Sequence, residues 1–164
     1  MNYASQLNFA SNLEELLKML LAASKELKEA IRDEFIGLAL FGSWARNEAK
    51  NNSDVDVFIV LKTLEGLKVR SKIYRIIAKY VKRDVTLIDV RINELLKNDF
   101  RLTPLMINVI ADAIVVWDEN DVLKKFIEEG KELIRKAKLV RYKTVDGKYG
   151  WKKSDETPLE IIES

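Results

Sequence analysis

The chain contains no cysteine and no histidine. The first absence excludes a disulfide framework, thiolate metal sites and a cysteine nucleophile. The second removes Ser-His-Asp and Cys-His catalysis, histidine-ligated zinc or haem, and the commonest general base. Any chemistry must therefore run on carboxylates, lysine, tyrosine, serine, backbone amides or a bound metal. Long hydrophobic runs are missing too. No segment approaches the roughly 20 apolar residues that span a bilayer, and "MNYASQLNFASNLEE" has no basic stretch leading into an apolar one. The expectation is a cytoplasmic protein with no membrane contact. Charged residues make up 33% of the chain but nearly cancel, to +2, so electrostatic arguments rest on local clusters. With 164 residues, 48% of them apolar, the chain can bury a core of its own.

Periodicity divides the chain into alternating elements. Ser11 and Glu14 have capping-box spacing, and Leu13, Leu16, Leu17, Leu20, Leu27 and Ile31 recur at helical intervals through about Asp33. "FIGLALF" (35–41) and "DVDVFIVLK" (54–62) read as buried strands. Residues 67–83 read as an amphipathic helix with Val69, Ile73, Ile76, Ile77 and Tyr80 inward. "DVTLIDV" (84–90) is a third strand and "INELLKN" a short helix; "PLMINVIADAIVVWD" is a helix running into a fourth strand at about 112–117. A last helix covers "NDVLKKFIEEGKELIRKAKLV", and Asp146-Gly147 in "RYKTVDGKYGWKK" signals a hairpin or folded tail. Strands separated by helices imply an α+β fold of three-layer α/β type, with a mixed sheet of about four or five strands. The expected organisation is one domain over 1–135, with a basic hairpin or tail over 136–164 packed on it.

One stretch asks for an explanation. In "LFGSWARNEAKNNSDVDVFIV" (40–60), Asp54 and Asp56 share a strand face with Phe58 and Val60. Two carboxylates side by side on an otherwise apolar strand repel each other, so something positive must meet them. With ten residues between it and Asp54, Gly42-Ser43 turns a strand into a short helical piece, an arrangement that suits a phosphate group, with the Ser43 hydroxyl as an added donor. Hard oxygen ligands with no soft ligand nearby favour Mg²⁺ or Mn²⁺. A phosphate cradle beside a divalent-cation pair fits phosphoryl or nucleotidyl transfer.

The same run resembles the signature of the DNA polymerase β-type nucleotidyltransferase superfamily. It is most similar to the small stand-alone minimal nucleotidyltransferases of archaea and bacteria, over roughly residues 12–135. Gly42, Ser43, Arg46, Ser53, Asp54 and Asp56 match. The resemblance implies the superfamily fold and a third carboxylate on a later strand, at Asp84, completing a catalytic and metal-binding set with Asp54 and Asp56 for two Mg²⁺ or Mn²⁺ ions. Asp89 is a rival, but in a regular strand it faces the other side. Gly42, Ser43 and Arg46 would bind the nucleotide. The implied reaction moves AMP from ATP to a hydroxyl, in some relatives a tyrosine of a HEPN-type partner in a toxin–antitoxin pair. Two departures stand out: Asn47, where the family often has glycine, and Arg83, where an apolar residue usually precedes the third carboxylate.

Two other readings use the same residues. One is a nucleotide- or RNA-binding module without turnover. Residues 131–153 hold nine Lys/Arg against two acids, with Tyr142, Tyr149 and Trp151 among them, a composition that suits single-stranded nucleic acid. The other is a small-molecule transferase of aminoglycoside type, whose relatives usually carry a larger acceptor domain.

Overall fold

The computed structural model describes residues 10–97 and 103–155. Expectations for 1–9, for position 98 at the end of "INELLKN" and for 156–164 lie outside those residues. Helix α1 (Leu13–Ile31) opens at Asn12, whose side chain accepts from the Glu15 amide at 2.9 Å. Glu15 in turn accepts from the Ser11 amide at 3.0 Å and the Ser11 hydroxyl at 2.9 Å. The cap thus closes one residue later than the Ser11–Glu14 spacing predicts, because Asn12 is an equally good cap for the Glu15 amide and the Glu15 carboxylate reaches back to Ser11.

Strand β1 (Phe35–Phe41) leads into the four-residue α2 (Gly42–Ala45), and β2 (Val55–Leu61) follows a polar loop. Then come α3 (Leu67–Val81), β3 (Val85–Arg91), α4 (Ile92–Leu95), α5 (Pro104–Asp112), β4 (Ile114–Asp118) and α6 (Val122–Lys136). Strands β5 (Leu139–Lys143) and β6 (Tyr149–Lys153) form a separate antiparallel hairpin. The main sheet has the order β3-β2-β1-β4; β1 runs antiparallel to both neighbours, and β2 and β3 are parallel. This is the mixed sheet expected, with four strands. No helix among the described residues is long and apolar enough to cross a membrane.

Helices cover both faces. Leu16, Leu20 and Leu27 of α1 and Ile73 and Ile77 of α3 pack with Leu38, Leu40, Val57 and Ile59. On the other face Val109 and Ile110 of α5 and Leu123 and Phe126 of α6 pack with Ala39, Phe58 and Val60. Strand alternation then fixes the site. Asp54 and Asp56 lie on the α5/α6 face of β2, just before Phe58 and Val60 enter the core, at the end of the sheet where the helix layer gives way to a cavity.

Candidate active site

Phe41, the last residue of β1, is the antiparallel register partner of Asp56. The next residue, Gly42, has φ +76°, and a Cβ built there would lie 2.0 Å from Asp56 Oδ2. Glycine is therefore needed twice over, for the left-handed backbone and for the space the Asp56 carboxylate occupies. Gly42→Ala is expected to destabilise the protein by about 1–3 kcal/mol through backbone strain and a displaced Asp56. Chemical denaturation of the variant checks it; unchanged stability would show that the turn re-forms without glycine. Farther along the same turn, Asn47 has φ 59°. Asparagine is the residue that best tolerates this conformation after glycine, which accounts for its place where the family often has glycine.

Asp54 is exposed at the entry to β2, and Asp56 is half-buried on the strand. In the parallel pairing of β2 with β3, Asp56 stands opposite Thr86, whose hydroxyl donates to Asp54 Oδ2 at 3.2 Å. Burial pushes the Asp56 carboxyl above the ordinary carboxylate range, and the Asp54 charge adds to this; Thr86 and Arg46 oppose it. The two carboxylates form the pair that the sequence implies.

Asp84 does not join them. Its carbonyl accepts from the Val55 amide at 2.9 Å, and the residue lines a separate cavity with Tyr74, Lys82 and Arg83. No group of three carboxylates arranged to hold a metal occurs among the described residues. The β2–β3 register gives the position facing the pair to Thr86, and that register cannot be read from either strand alone. Asp89 is also accounted for: it is 9% exposed and paired with Arg70 at 3.0 Å and Arg91 at 2.6 Å, on the opposite face of β3. Arg83 ties down the chain around the site, donating to the Ala10 carbonyl at 2.6 Å and the Asn51 carbonyl at 2.9 Å. Trp44 is buried and donates to the Ser53 carbonyl at 3.3 Å, so it braces the 47–54 loop.

The cavity beside Asp56 has a volume of about 770 Å³, within the range of small-ligand sites. Gly42, Ser43, Arg46 and Asp56 line it from one side; Asn108 and Asp112 of α5 and the β5–β6 hairpin close the other. Arg46 donates to Asp112 Oδ2 at 2.7 Å, lies 3.4 Å from Glu48 and stacks on Tyr149. Asp112 is 3% exposed and also accepts from Arg141 Nη1 at 2.7 Å. Arg141 and Trp151 converge on Asn108 Oδ1 at 3.2 and 2.8 Å, and Tyr149 donates to Glu48 at 2.9 Å. That hydrogen bond holds the Glu48 carboxyl below its ordinary range. The sequence marked Arg141, Tyr149 and Trp151 only as part of a basic-aromatic segment; nothing in it flagged Asp112, an acid at the end of an apolar helix.

Asp54 and Asp56, with the Thr86 hydroxyl beside them, are hard oxygen donors of the kind that Mg²⁺ or Mn²⁺ takes. Burial, and after it the Asp54 charge, disfavour the ionised Asp56 carboxyl, a penalty that a divalent cation would offset, so the residues fit one.

Known proteins match this scaffold. A protein of Methanocaldococcus jannaschii named "Putative protein adenylyltransferase MJ1305" is 28% identical over 80% of this chain and 89% of its own length. "Protein adenylyltransferase MntA" of Thermococcus cleftensis is 42% identical over 34% of this chain and 54% of its own. A crystal structure described as "the toxin-antitoxin with AMP-PNP" superimposes with a TM-score of 0.51 at 16% identity, over 71% of this chain and 87% of that one, a likeness of fold. The family model for a nucleotidyltransferase domain matches residues 24–146, from within α1 through the whole main sheet and on to the turn of the hairpin. With the Gly-Ser turn and the aspartate pair inside that span, the chain belongs to the nucleotidyltransferase domain family and is a nucleotidyltransferase.

Proposed function

We propose that this chain transfers AMP from ATP to a protein hydroxyl, most directly a tyrosine of a HEPN-type toxin partner for which it acts as antitoxin. The observation that carries the reading is the Asp56 carboxylate, with Asp54 beside it, opening onto a cavity of nucleotide size. The adenylyltransferase name of a relative matched over 89% of its length supports the choice of group and acceptor. In the reaction, the acceptor oxygen bonds to the α-phosphorus, the α–β phosphoanhydride breaks, the hydroxyl proton is released and pyrophosphate leaves.

Asp54 and Asp56 would hold a divalent ion, which when bound neutralises phosphate charge and acidifies the acceptor hydroxyl. Ser43 would donate to a phosphate oxygen. Arg46, already held by Asp112 and Glu48, would fix the wall against which the nucleotide lies. The two-ion arrangement implied by the resemblance needs a third anionic ligand facing the pair, and Thr86 stands at that position. The proposal therefore takes Asp54 and Asp56 alone as the anionic ligands.

Incubation with ATP labelled on the α-phosphate, Mg²⁺ and a HEPN-type partner should place label on a partner tyrosine and release pyrophosphate. Label on a free sugar or aminoglycoside instead would move the acceptor to a small molecule. Thr86 favours one second reading, a nucleotide-binding module that does not turn over; nucleotide binding without pyrophosphate release would establish it. Ser43→Ala should weaken nucleotide binding only about 10-fold, since it removes one hydroxyl donor to a phosphate oxygen and leaves the backbone amides of the turn in place. Titration with a non-hydrolysable ATP analogue measures this, and a loss matching that of an Asp56 variant would assign Ser43 a larger role.

A further inference from the structure

The β5–β6 hairpin does more than pack on the domain. Its two strands are held against α5 and the 42–48 turn by Arg141 on Asp112, Trp151 on Asn108 and Tyr149 on Glu48. So anchored, its connecting turn hangs over the cavity that holds Asp56, and Lys143 and Lys148, which flank the turn, line that cavity. Lys50 lines it from the 47–54 loop.

Charge matching inside the cavity is uneven. Asp112 meets Arg46 and Arg141, Glu48 meets Arg46 and Tyr149, and Asp146 accepts from the Thr144 hydroxyl. Lys143, Lys148 and Lys50 make no ion pair among the described residues, although Lys143 lies over the Tyr149 ring and its charge helps lower the Glu48 carboxyl pKa. Other basic residues of the 131–153 segment are placed differently. Arg135 and Lys136 pair with Glu132 on α6, and Lys152 stacks on Tyr142 outside the cavity. Three lysines without an ion pair, Lys50, Lys143 and Lys148, thus line the cavity where a polyanion beside Asp56 would lie, while Lys131, Lys138 and Lys153 of the 131–153 segment lie outside that lining.

We propose that the β5–β6 hairpin is part of the nucleotide site, with Lys143 and Lys148 binding the outer phosphates of a nucleoside triphosphate. The proposal rests on the nucleotidyltransferase reading above and adds to it the wall that takes the leaving pyrophosphate. Two lysines reaching over a bound triphosphate would favour the substrate over the monophosphate. They would also stabilise the charge that builds on the leaving group as the α–β bond breaks.

The test is calorimetric titration of the full chain and of its Lys143→Gln/Lys148→Gln variant with a β,γ-imido ATP analogue and with AMP, both in Mg²⁺. Loss of two charge-assisted contacts should weaken the triphosphate analogue about 10- to 100-fold and leave AMP unchanged. The Lys143→Arg/Lys148→Arg variant should retain the triphosphate affinity, and tripolyphosphate should displace the analogue from the unaltered protein only. Equal triphosphate affinity in the unaltered and glutamine proteins would overturn the proposal and leave the functional reading standing. A glutamine variant that binds the analogue normally but loses single-stranded RNA would overturn it in favour of a nucleic-acid surface. No nucleotide binding by the unaltered protein would overturn both.

Discussion

Asp56→Asn is expected to cut divalent-dependent adenylyl transfer by at least about 100-fold, because it removes one of two anionic ligands at the reacting centre. The fold should survive intact. Asp56 is half-buried beside Asp54, and its carboxyl titrates above the ordinary range because burial and then that neighbour disfavour its charge. The sign of the stability effect follows. The folded state holds this proton more tightly than the unfolded chain, so without metal stability falls as pH rises from the unfolded carboxylate pKa through the raised folded one. The amide has no such loss. Asp56→Asn should therefore be as stable as the parent at acid pH and more stable near neutrality, as read by urea denaturation at several pH values in the presence of a chelator. Near-normal turnover would sink the assigned role, and a variant less stable at neutral pH would show that the carboxylate is held by partners rather than repelled.

The aspartate pair was legible because its logic is local. Alternation along β2 places Asp54 and Asp56 on one face whatever the strand pairs with, and ten residues separate the Gly-Ser turn from Asp54. Element types were legible for the same reason: apolar residues at helical spacing mark α1 and α3, an apolar run marks β1, and apolar alternation around Asp56 leading into an apolar run marks β2. The start of α1 shifted by a residue where Asn12 offered an equivalent cap, and α6 stops at Lys136, four residues short of the helix expected through Val140, because Leu139 and Val140 pair in the hairpin as β5.

What could not be read depends on pairing between distant segments. The third position of the site is decided by the register of β2 against β3, which sets Thr86 opposite Asp56, and motif spacing alone pointed to Asp84. The hairpin was foreseen from Asp146-Gly147, but its basic and aromatic residues also fitted a nucleic-acid surface. Only the folded chain shows Arg141, Tyr149 and Trp151 consumed in docking and Lys143 and Lys148 turned to the cavity.

The residue that decides this docking is Asp112, and its removal should have the largest effect on stability. The carboxylate is 3% exposed and bridges two guanidinium groups, Arg46 from the Gly-Ser turn and Arg141 from the hairpin, each at 2.7 Å. Those arginines are only 23% and 20% exposed, so neither can turn fully to water when the carboxylate is lost. Breaking a buried pair by deleting one partner leaves uncompensated charge and costs about 3–5 kcal/mol. Asp112→Ala should lose that much in urea denaturation. It should also make the hairpin accessible to trypsin at Arg141 and Lys143 under conditions where the parent is resistant. Asp112→Asn keeps a hydrogen-bond acceptor and should lose less. If the hairpin carries phosphate-binding lysines, both variants should also weaken the ATP analogue more than AMP, in proportion to the trypsin sensitivity. An Asp112→Ala protein with parental stability and a protected hairpin would show that the aromatic contacts of Tyr149 and Trp151 hold the wall without the ion pair.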